Sequence, residues 1–335
     1  MFRKCSLERF ETYSRNAEAR ISLDLSTHPL GPSPKIMECL GSVTISDLWK
    51  YPEKFPQLKE ELAAFAGVDE KNVMITAGAE QGIEVCLTRL LDPRDPVAIM
   101  IPTFPLFRSI SRTICDASVI QFKSLDSIPR AKVIVLCSPN NPTTEEISRK
   151  EVRAVLEDNS DSVVILDNVF SLSGKERFEP LLKEFSNLII LRSFSKDFAL
   201  AGIRVGFLLA PEESISVLGS GSCHFRVSQF SQKIALSALK DKLHLSEMKK
   251  FLESESSFII RNLGKRVIRH SSTPFFLFDC GMDSSIFREK MMGEGISIVD
   301  SRPFPGLDSN FCRVAIGSRR ENQAFVSAAR KILEI

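Results

Sequence analysis

The sequence predicts an α/β fold in which a mostly parallel seven-stranded sheet carries helices on both faces and is joined to a smaller α+β domain. Seven short apolar runs rich in Val and Ile fall between Val73 and Leu209, and amphipathic helical stretches separate several of them. That is the pattern of buried parallel strands and their crossovers. After Ala210-Pro211 the pattern changes to long helical stretches and a second set of apolar runs. A chain of 335 residues has room for about two domains. We read residues 1–47 as an N-terminal segment packing with the small domain, 48–210 as the large domain, and 211–335 as a helical connection and the small domain.

The runs are VMIT (73–76), VAIMI (97–101), SVIQF (118–122), VIVLC (133–137), VVILD (163–167), LIILR (188–192) and VGFLL (205–209). Each is too short for a buried helix, and β-branched side chains fit the pleated backbone. Glu80–Leu91 and Arg149–Glu157 read as helices between them. Parallel strands need crossovers, which place the connecting loops and any ligand at the carboxyl edge of the sheet. Further on, Ser228–Leu239 and Leu245–Leu263 read as helices, FFLFDC (275–280) as a strand, Ser284–Met292 as a helix, ISIV (296–299) and FCRVAI (311–316) as strands, and Glu321–Ile332 as a closing helix. The residues before about Leu48 are irregular and Pro-rich, so they are expected to fold back on the small domain. No repeat period and no low-complexity tract is present.

Lys and Arg total 44 against 42 Asp and Glu, a formal charge of +2, with 43% hydrophobic residues. This balance excludes a small disulfide scaffold and extensive disorder, and nothing in it calls for nucleic acid. Eight scattered cysteines with no CxxC pair, and only four His, predict reduced thiols, no metal site and a cytoplasmic protein. The first residues lack an apolar signal core and no run approaches membrane-spanning length, so neither secretion nor membrane insertion is expected. Phe occurs 24 times and Tyr twice, at Tyr13 and Tyr51.

The segment SFSKDFALAGIRVGF (193–207) places Lys196 in a hydroxyl-rich loop just beyond a predicted strand. A lone lysine is ordinarily a solvated surface charge. Here Ser193 and Ser195 can donate to phosphate oxygens, and Arg204 stands before the next strand as a further phosphate ligand. Other positive charge nearby would free the lysine amine to attack a carbonyl. Upstream, CSPNNPTT (137–144) follows one strand and LDNVF (166–170) puts Asp167 at the end of another. Asn-Pro is common turn chemistry and an Asp at a strand end is often a cap. An Asn, an Asp, a Lys and an Arg after four successive runs nevertheless lie on one edge of one sheet.

Pyridoxal phosphate needs this set. Asp167 would keep the pyridine nitrogen protonated, Asn141 would hydrogen-bond the phenolic oxygen, and Lys196 would form the Schiff base and shuttle the proton. TAGAEQGI (76–83) passes through Gly78 into a helix whose free amides, at Ala79 and Glu80, would hold the phosphate. Phe104, in PTFPLF, is placed to lie on the ring.

These residues resemble the pyridoxal-phosphate enzymes of fold type I, the class I/II aminotransferases, from about Leu23 to the C-terminus. Within that superfamily HPLGPSPKI (28–36), KYP (50–52), SPNNPT (138–143), SFSK (193–196), AGIRVGF (201–207) and PGLDSNFCRVAIGSRREN (305–322) look like the histidinol-phosphate aminotransferases and the related threonine-phosphate decarboxylases. The resemblance implies a homodimer in which Tyr51 reaches the cofactor phosphate across the interface, and an Arg313 that binds the substrate carboxylate. Arg226, in CHFRVSQ, is a further substrate candidate. Three departures stand out. Asp167-Asn168-Val169-Phe170 replaces the usual Asp-Glu-Ala-Tyr, so Phe170 lies against the cofactor without a phenol. Thr144 stands where Gly commonly follows Asn-Pro-Thr. Ser26-Thr27-His28 replaces Asn-Glu-Asn, which makes His28 a substrate-side candidate.

The expected reaction is therefore transfer of an amino group from a histidinol-phosphate-like donor to a 2-oxo acid, in amino-acid biosynthesis. The rival is an α-decarboxylase of O-phosphothreonine, since only substrate pose separates the two reactions on this cofactor. A non-catalytic module would have no physical need for Lys196, Asp167, Asn141 and Arg204 together.

Overall fold

The structure, a computed structural model, describes residues 19–52, 56–220 and 225–335. Cys5, Tyr13 and Cys223 lie outside the described residues. Among the described residues twelve strands form three sheets: β1 (Ile21–Ser22), β2 (Val73–Thr76), β3 (Pro96–Met100), β4 (Ser118–Phe122), β5 (Val133–Cys137), β6 (Val163–Asp167), β7 (Leu188–Ser193), β8 (Gly206–Leu209), β9 (Val267–Ile268), β10 (Phe275–Asp279), β11 (Ile296–Ser297) and β12 (Phe311–Ala315). The large sheet has seven strands in the order β2-β8-β7-β6-β5-β3-β4. β8 is antiparallel to both of its neighbours and every other pairing is parallel. The seven apolar runs are its strands, each displaced by no more than one residue at either end.

Their continuous hydrophobicity has a direct cause, because alternate residues enter two different cores. Ala98, Ile134, Leu136, Val164, Leu166 and Ile190 face helices Pro56–Ala66, Arg149–Asp158 and Gln229–Leu239. Val97, Ile99, Val135, Ile165, Ile189 and Leu191 face helices Gly78–Leu90, Leu106–Thr113 and Glu212–Gly219. Each of these buried Val, Leu and Ile side chains stabilises the sheet by roughly 1.5–3 kcal/mol relative to exposure.

The second core lies on the antiparallel sheet β12-β10-β9 and the parallel pair β1-β11, packed by helices Lys242–Leu263, Ser284–Gly293 and Arg319–Leu333. Part of the phenylalanine excess goes here. Phe278 meets Phe325 edge-on at 5.5 Å between centroids, and Phe276 meets Phe325 at 5.9 Å. No tyrosine hydroxyl then needs a partner in this core. The closing helix starts on a capping box, Ser318 with Glu321.

The N-terminal segment divides its packing between the two units. Ile21 pairs with Ile296 and Leu23 enters the small core, whereas Ile36 of helix Lys35–Gly41 enters the core of the large sheet. Helices Glu212–Gly219 and Gln229–Leu239 also cover the large sheet, although they follow Ala210-Pro211. The reason is that β8 ends at Leu209 with both faces of the sheet still needing cover, and these helices supply Leu218 on one face and Ile234 on the other. We propose that 48–210 and 211–335 divide the chain by strand connectivity, with these two helices shared across that boundary. ISIV forms a strand only at Ile296–Ser297, because Val299 turns instead to an isolated bridge with Arg313.

Candidate active site

The loops after Met100, Cys137, Asp167 and Ser193 leave the large sheet at one edge, because β3, β5, β6 and β7 run in the same direction. β8 runs the other way, which brings Gly206 and the preceding Arg204 to that edge, with Thr76 paired to Gly206. β12 of the small sheet contributes Arg313. Together they enclose a cavity of about 500 Å³ lined by Ala79, Glu80, Phe104, Asn141, Asp167, Phe170, Ser193, Ser195, Lys196, Arg204 and Arg313.

At one end of the cavity, helix Gly78–Leu90 begins with no side-chain cap, so its first amides remain available to a ligand. Gly78 has φ +81°, and a Cβ there would lie 2.9 Å from the Arg204 guanidinium. A Cβ on Gly206 would lie 2.6 Å from the Gly78 carbonyl carbon. The missing side chains therefore let β8 press against the start of the helix. Arg204, at φ 52°, is in the left-handed region that non-glycine residues seldom occupy. Its guanidinium donates to Glu80 at 3.1 Å, to the Ala201 carbonyl at 3.0 Å and to Ser195 Oγ at 3.4 Å. Ser193 caps the short helix Phe194–Asp197 by accepting from the Ser195 amide, which leaves its hydroxyl proton for another acceptor.

Asp167 is buried at the end of β6, and its carboxylate accepts one hydrogen bond among the described residues, from the Val169 amide at 3.2 Å. Desolvation pushes its carboxyl up to about 7, and no ion pair among the described residues answers it. A protonated ring nitrogen is the group such a carboxylate lacks. Lys196 Nζ donates to the Leu25 carbonyl at 2.7 Å. Desolvation, with Arg313 and Arg204 adding repulsion against a weaker pull from Glu80, lowers its ammonium to about 8. Arg313 is 3% exposed, donates to Asn141 Oδ1 at 2.9 Å and to the Asp24 carbonyl, and lies over Phe275 and Phe304. Phe170 meets Phe275 edge-on at 5.1 Å. A lysine with an accessible amine, a buried carboxylate without a cation and an open helix end beside a guanidinium fit pyridoxal phosphate.

Three candidates lie elsewhere. Tyr51 is 77% exposed and stacks on Phe225 at 4.6 Å. Arg226 lines neither this cavity nor the neighbouring one. His28 lines the neighbouring cavity, of about 290 Å³, which shares Lys196. Its Nδ1 accepts from the Leu30 amide at 3.3 Å, so Nε2 carries the proton donated to the Met248 carbonyl at 3.1 Å. Burial lowers the imidazole to about 4, and both ring nitrogens are occupied in holding the chain, which leaves no ring atom for a substrate. The sequence reading missed Arg108 and Arg302, which line the main cavity, and the carbonyls of Asp24 and Leu25. Arg108 follows the PTFPLF strand end, and nothing in the sequence separates it from a surface arginine. The two carbonyls carry no sequence signal. Among the described residues no cluster of metal-ligating side chains is present and no helix is long and apolar enough to cross a membrane.

The family model described as aminotransferase class I and II matches residues 44–328. The histidinol-phosphate aminotransferase of Methanocaldococcus jannaschii is 31% identical, with 96% of this chain and 91% of that protein covered. Among solved structures, histidinol-phosphate aminotransferase from Sinorhizobium meliloti in complex with pyridoxal-5'-phosphate superposes with a TM-score of 0.87 at 20% identity, covering 100% of this chain and 98% of the other. L-threonine-O-3-phosphate decarboxylase from Porphyromonas gingivalis superposes with a TM-score of 0.83 at 22% identity, covering 94% of this chain and 100% of the other. At such identities these two structures show the shared fold.

Proposed function

Because the chain belongs to the class I and II aminotransferases, and is a pyridoxal-phosphate-dependent enzyme of that class, we propose that it moves the amino group of a histidinol-phosphate-like donor to a 2-oxo acid in amino-acid biosynthesis. The observation that carries the chemistry is Lys196 and Asp167 on one cavity, both with charge disfavoured by burial. The donor is read from the relative that shares 31% identity along nearly the whole chain.

When bound, pyridoxal phosphate supplies a carbonyl for the lysine amine and a ring that withdraws electrons from the donor's α-carbon. The chain's own residues then divide the remaining tasks. The Ala79 and Glu80 amides beyond Gly78, the Ser193 and Ser195 hydroxyls and Arg204 bind the phosphate. Asp167 holds the proton on the ring nitrogen, and the Asn141 amide donates to the ring oxygen. Phe170 brings no hydroxyl to that oxygen. Phe104 covers a face of the ring and excludes water. Lys196 Nζ, neutral for much of the time near pH 8, takes the α-proton and returns it. Arg313, fixed by Asn141 and the Asp24 carbonyl, orients the substrate through its anionic group.

A homodimer accounts for Tyr51, which stands too far out to serve its own cavity. Ile45, Leu48 and Trp49 are 78%, 71% and 70% exposed beside it, and a second copy would cover this apolar face. The buried free thiols of Cys86, Cys115 and Cys137 support a reducing, cytoplasmic setting.

The test is to incubate the cofactor-loaded enzyme with L-histidinol phosphate and 2-oxoglutarate and measure glutamate. Steady glutamate formation is the expected result. Carbon dioxide released from O-phosphothreonine, with no glutamate from either donor, would overturn the transaminase in favour of the lyase.

A further inference from the structure

Thr144 holds a backbone conformation that its own side chain disfavours. Its φ is 64°, in the left-handed region where a β-branched residue is an outlier, and it is buried. A glycine would take that φ without strain. Such an outlier persists only where its surroundings hold it, and here the threonine makes a contact that a glycine could not. Its Oγ1 accepts a hydrogen bond at 2.8 Å from the amide of His270, in the connection between β9 and β10.

Both ends of that contact lead into the active site. On the side of the large sheet, the Thr144 amide donates to the Asn140 carbonyl at 2.9 Å and the Asn140 amide donates to the Glu145 carbonyl at 2.7 Å. Thr144 thus closes the turn that carries Asn141. On the side of the small sheet, the Ser272 amide donates to the Ser173 carbonyl at 3.0 Å, and Phe275, the first residue of β10, meets Phe170. β10 pairs with β12 in a register that sets Leu277 opposite Arg313, so whatever fixes the start of β10 also fixes Arg313. Arg313 closes the circuit by donating to Asn141.

We propose that Thr144 is a positioning residue whose hydroxyl latches the small sheet to the Asn141 turn and so sets Arg313 against the cofactor site before substrate arrives. This rests on the transaminase reading only for the 2-oxo acid that Arg313 holds. Without the latch the same arrangement remains reachable but is populated for less of the time. Apparent affinity for the acid then falls by that fraction, and turnover of the bound complex is preserved. One hydrogen bond of this kind corresponds to about three- to tenfold.

Three variants separate the hydroxyl from the backbone. Thr144→Ser keeps the acceptor, Thr144→Val keeps the branched shape without it, and Thr144→Gly removes the acceptor while relieving the φ. The direct readout is hydrogen exchange of the His270 amide in the cofactor-loaded enzyme, with the amides of β6 as a control for global stability. Protection of His270 should fall by about tenfold or more in the Val and Gly variants and survive in the Ser variant, with β6 unchanged. Adding 2-oxoglutarate, which has no amine to donate, should restore that protection in the Val and Gly variants and add little to the wild type. KM for 2-oxoglutarate should rise about three- to tenfold in those two variants at unchanged kcat, and return to the wild-type value in the Ser variant. An unprotected His270 amide in the wild type overturns the proposal, and so does a wild-type KM in both the Val and Gly variants. Equal losses in the Ser and Val variants overturn it as well, since shape rather than the hydroxyl would then be the cause. If 2-oxoglutarate is neither bound nor turned over by the wild type while His270 protection still follows the hydroxyl, the proposed function falls and the latch stands.

Discussion

Lys196 and Asp167 are each kept close to neutrality by the same cavity, and their titrations lead to opposite uses. Burial, with Arg313 and Arg204 near, lowers the Lys196 ammonium to about 8, so below that value the reactive amine becomes scarce. The rate at which cofactor-free enzyme captures pyridoxal phosphate should therefore climb about tenfold per pH unit up to about 8 and then level off. Stopped-flow absorbance reads this, and a rate still rising steeply at pH 10 would mean an ordinary lysine. Asp167 is raised to about 7, so above that pH the folded chain carries a buried carboxylate that the unfolded chain holds more cheaply. That penalty is fully present above 7 and fades as pH falls toward the ordinary aspartate range. Asp167→Asn should consequently make the cofactor-free enzyme more stable at pH 8, by about 2–4 kcal/mol in urea unfolding, and weaken its hold on the cofactor. A variant less stable at pH 8 would refute the assignment. Both residues were legible in the sequence because strand ends in a parallel sheet share one edge. Arg108 was passed over because a single arginine in a helix reads as a surface charge, and what distinguishes it is its place on the cavity wall, which only the packed structure reveals. His28 was misplaced for the converse reason. Its two ring partners, the Leu30 amide and the Met248 carbonyl, are backbone groups, one of them in a distant helix.

Among the elements, the contact of β8 with the start of helix Gly78–Leu90 is the tightest fit in the site. A Cβ on Gly206 would press on the Gly78 carbonyl carbon, the Ala79 nitrogen at 2.8 Å and the Arg192 carbonyl oxygen at 2.9 Å, all of them backbone atoms that cannot rotate away. Gly206→Ala should push the strand and helix apart, costing about 1–3 kcal/mol of stability and loosening the cofactor phosphate. Thermal unfolding and a cofactor titration check the two effects together, and a variant unchanged in both would show that the sheet gives way without harm. The strands of the large sheet could be read because both faces are buried, so their hydrophobicity is continuous over about five residues and breaks sharply at turns. β1 and β9 could not, since a strand of two residues has no periodicity and exists only through its partner. Helix Leu106–Thr113 escaped for a related reason, because eight residues give barely two turns of pattern.

For the whole molecule, the apolar face around Trp49 predicts association. Light scattering should find a dimer, and Trp49→Asp should give a monomer that binds the cofactor more weakly, because Tyr51 would no longer reach a neighbouring cavity. A wild-type monomer at micromolar concentration would remove both the dimer and the role of Tyr51. The fold class was legible as a whole, while the split packing of the N-terminal segment was not, since it depends on β1 finding β11 across 275 residues of chain, from Ile21 to Ile296. That long pairing also sets a schedule. Asp24 and Leu25, which leave the ribosome before the large sheet does, hold Arg313 and Lys196 through their carbonyls. Arg313 and β11 are synthesised after that sheet. A nascent chain that has finished its large sheet therefore already displays Lys196 without its carbonyl clamp and without Arg313. The site closes only when translation reaches the strand for which β1 has been waiting.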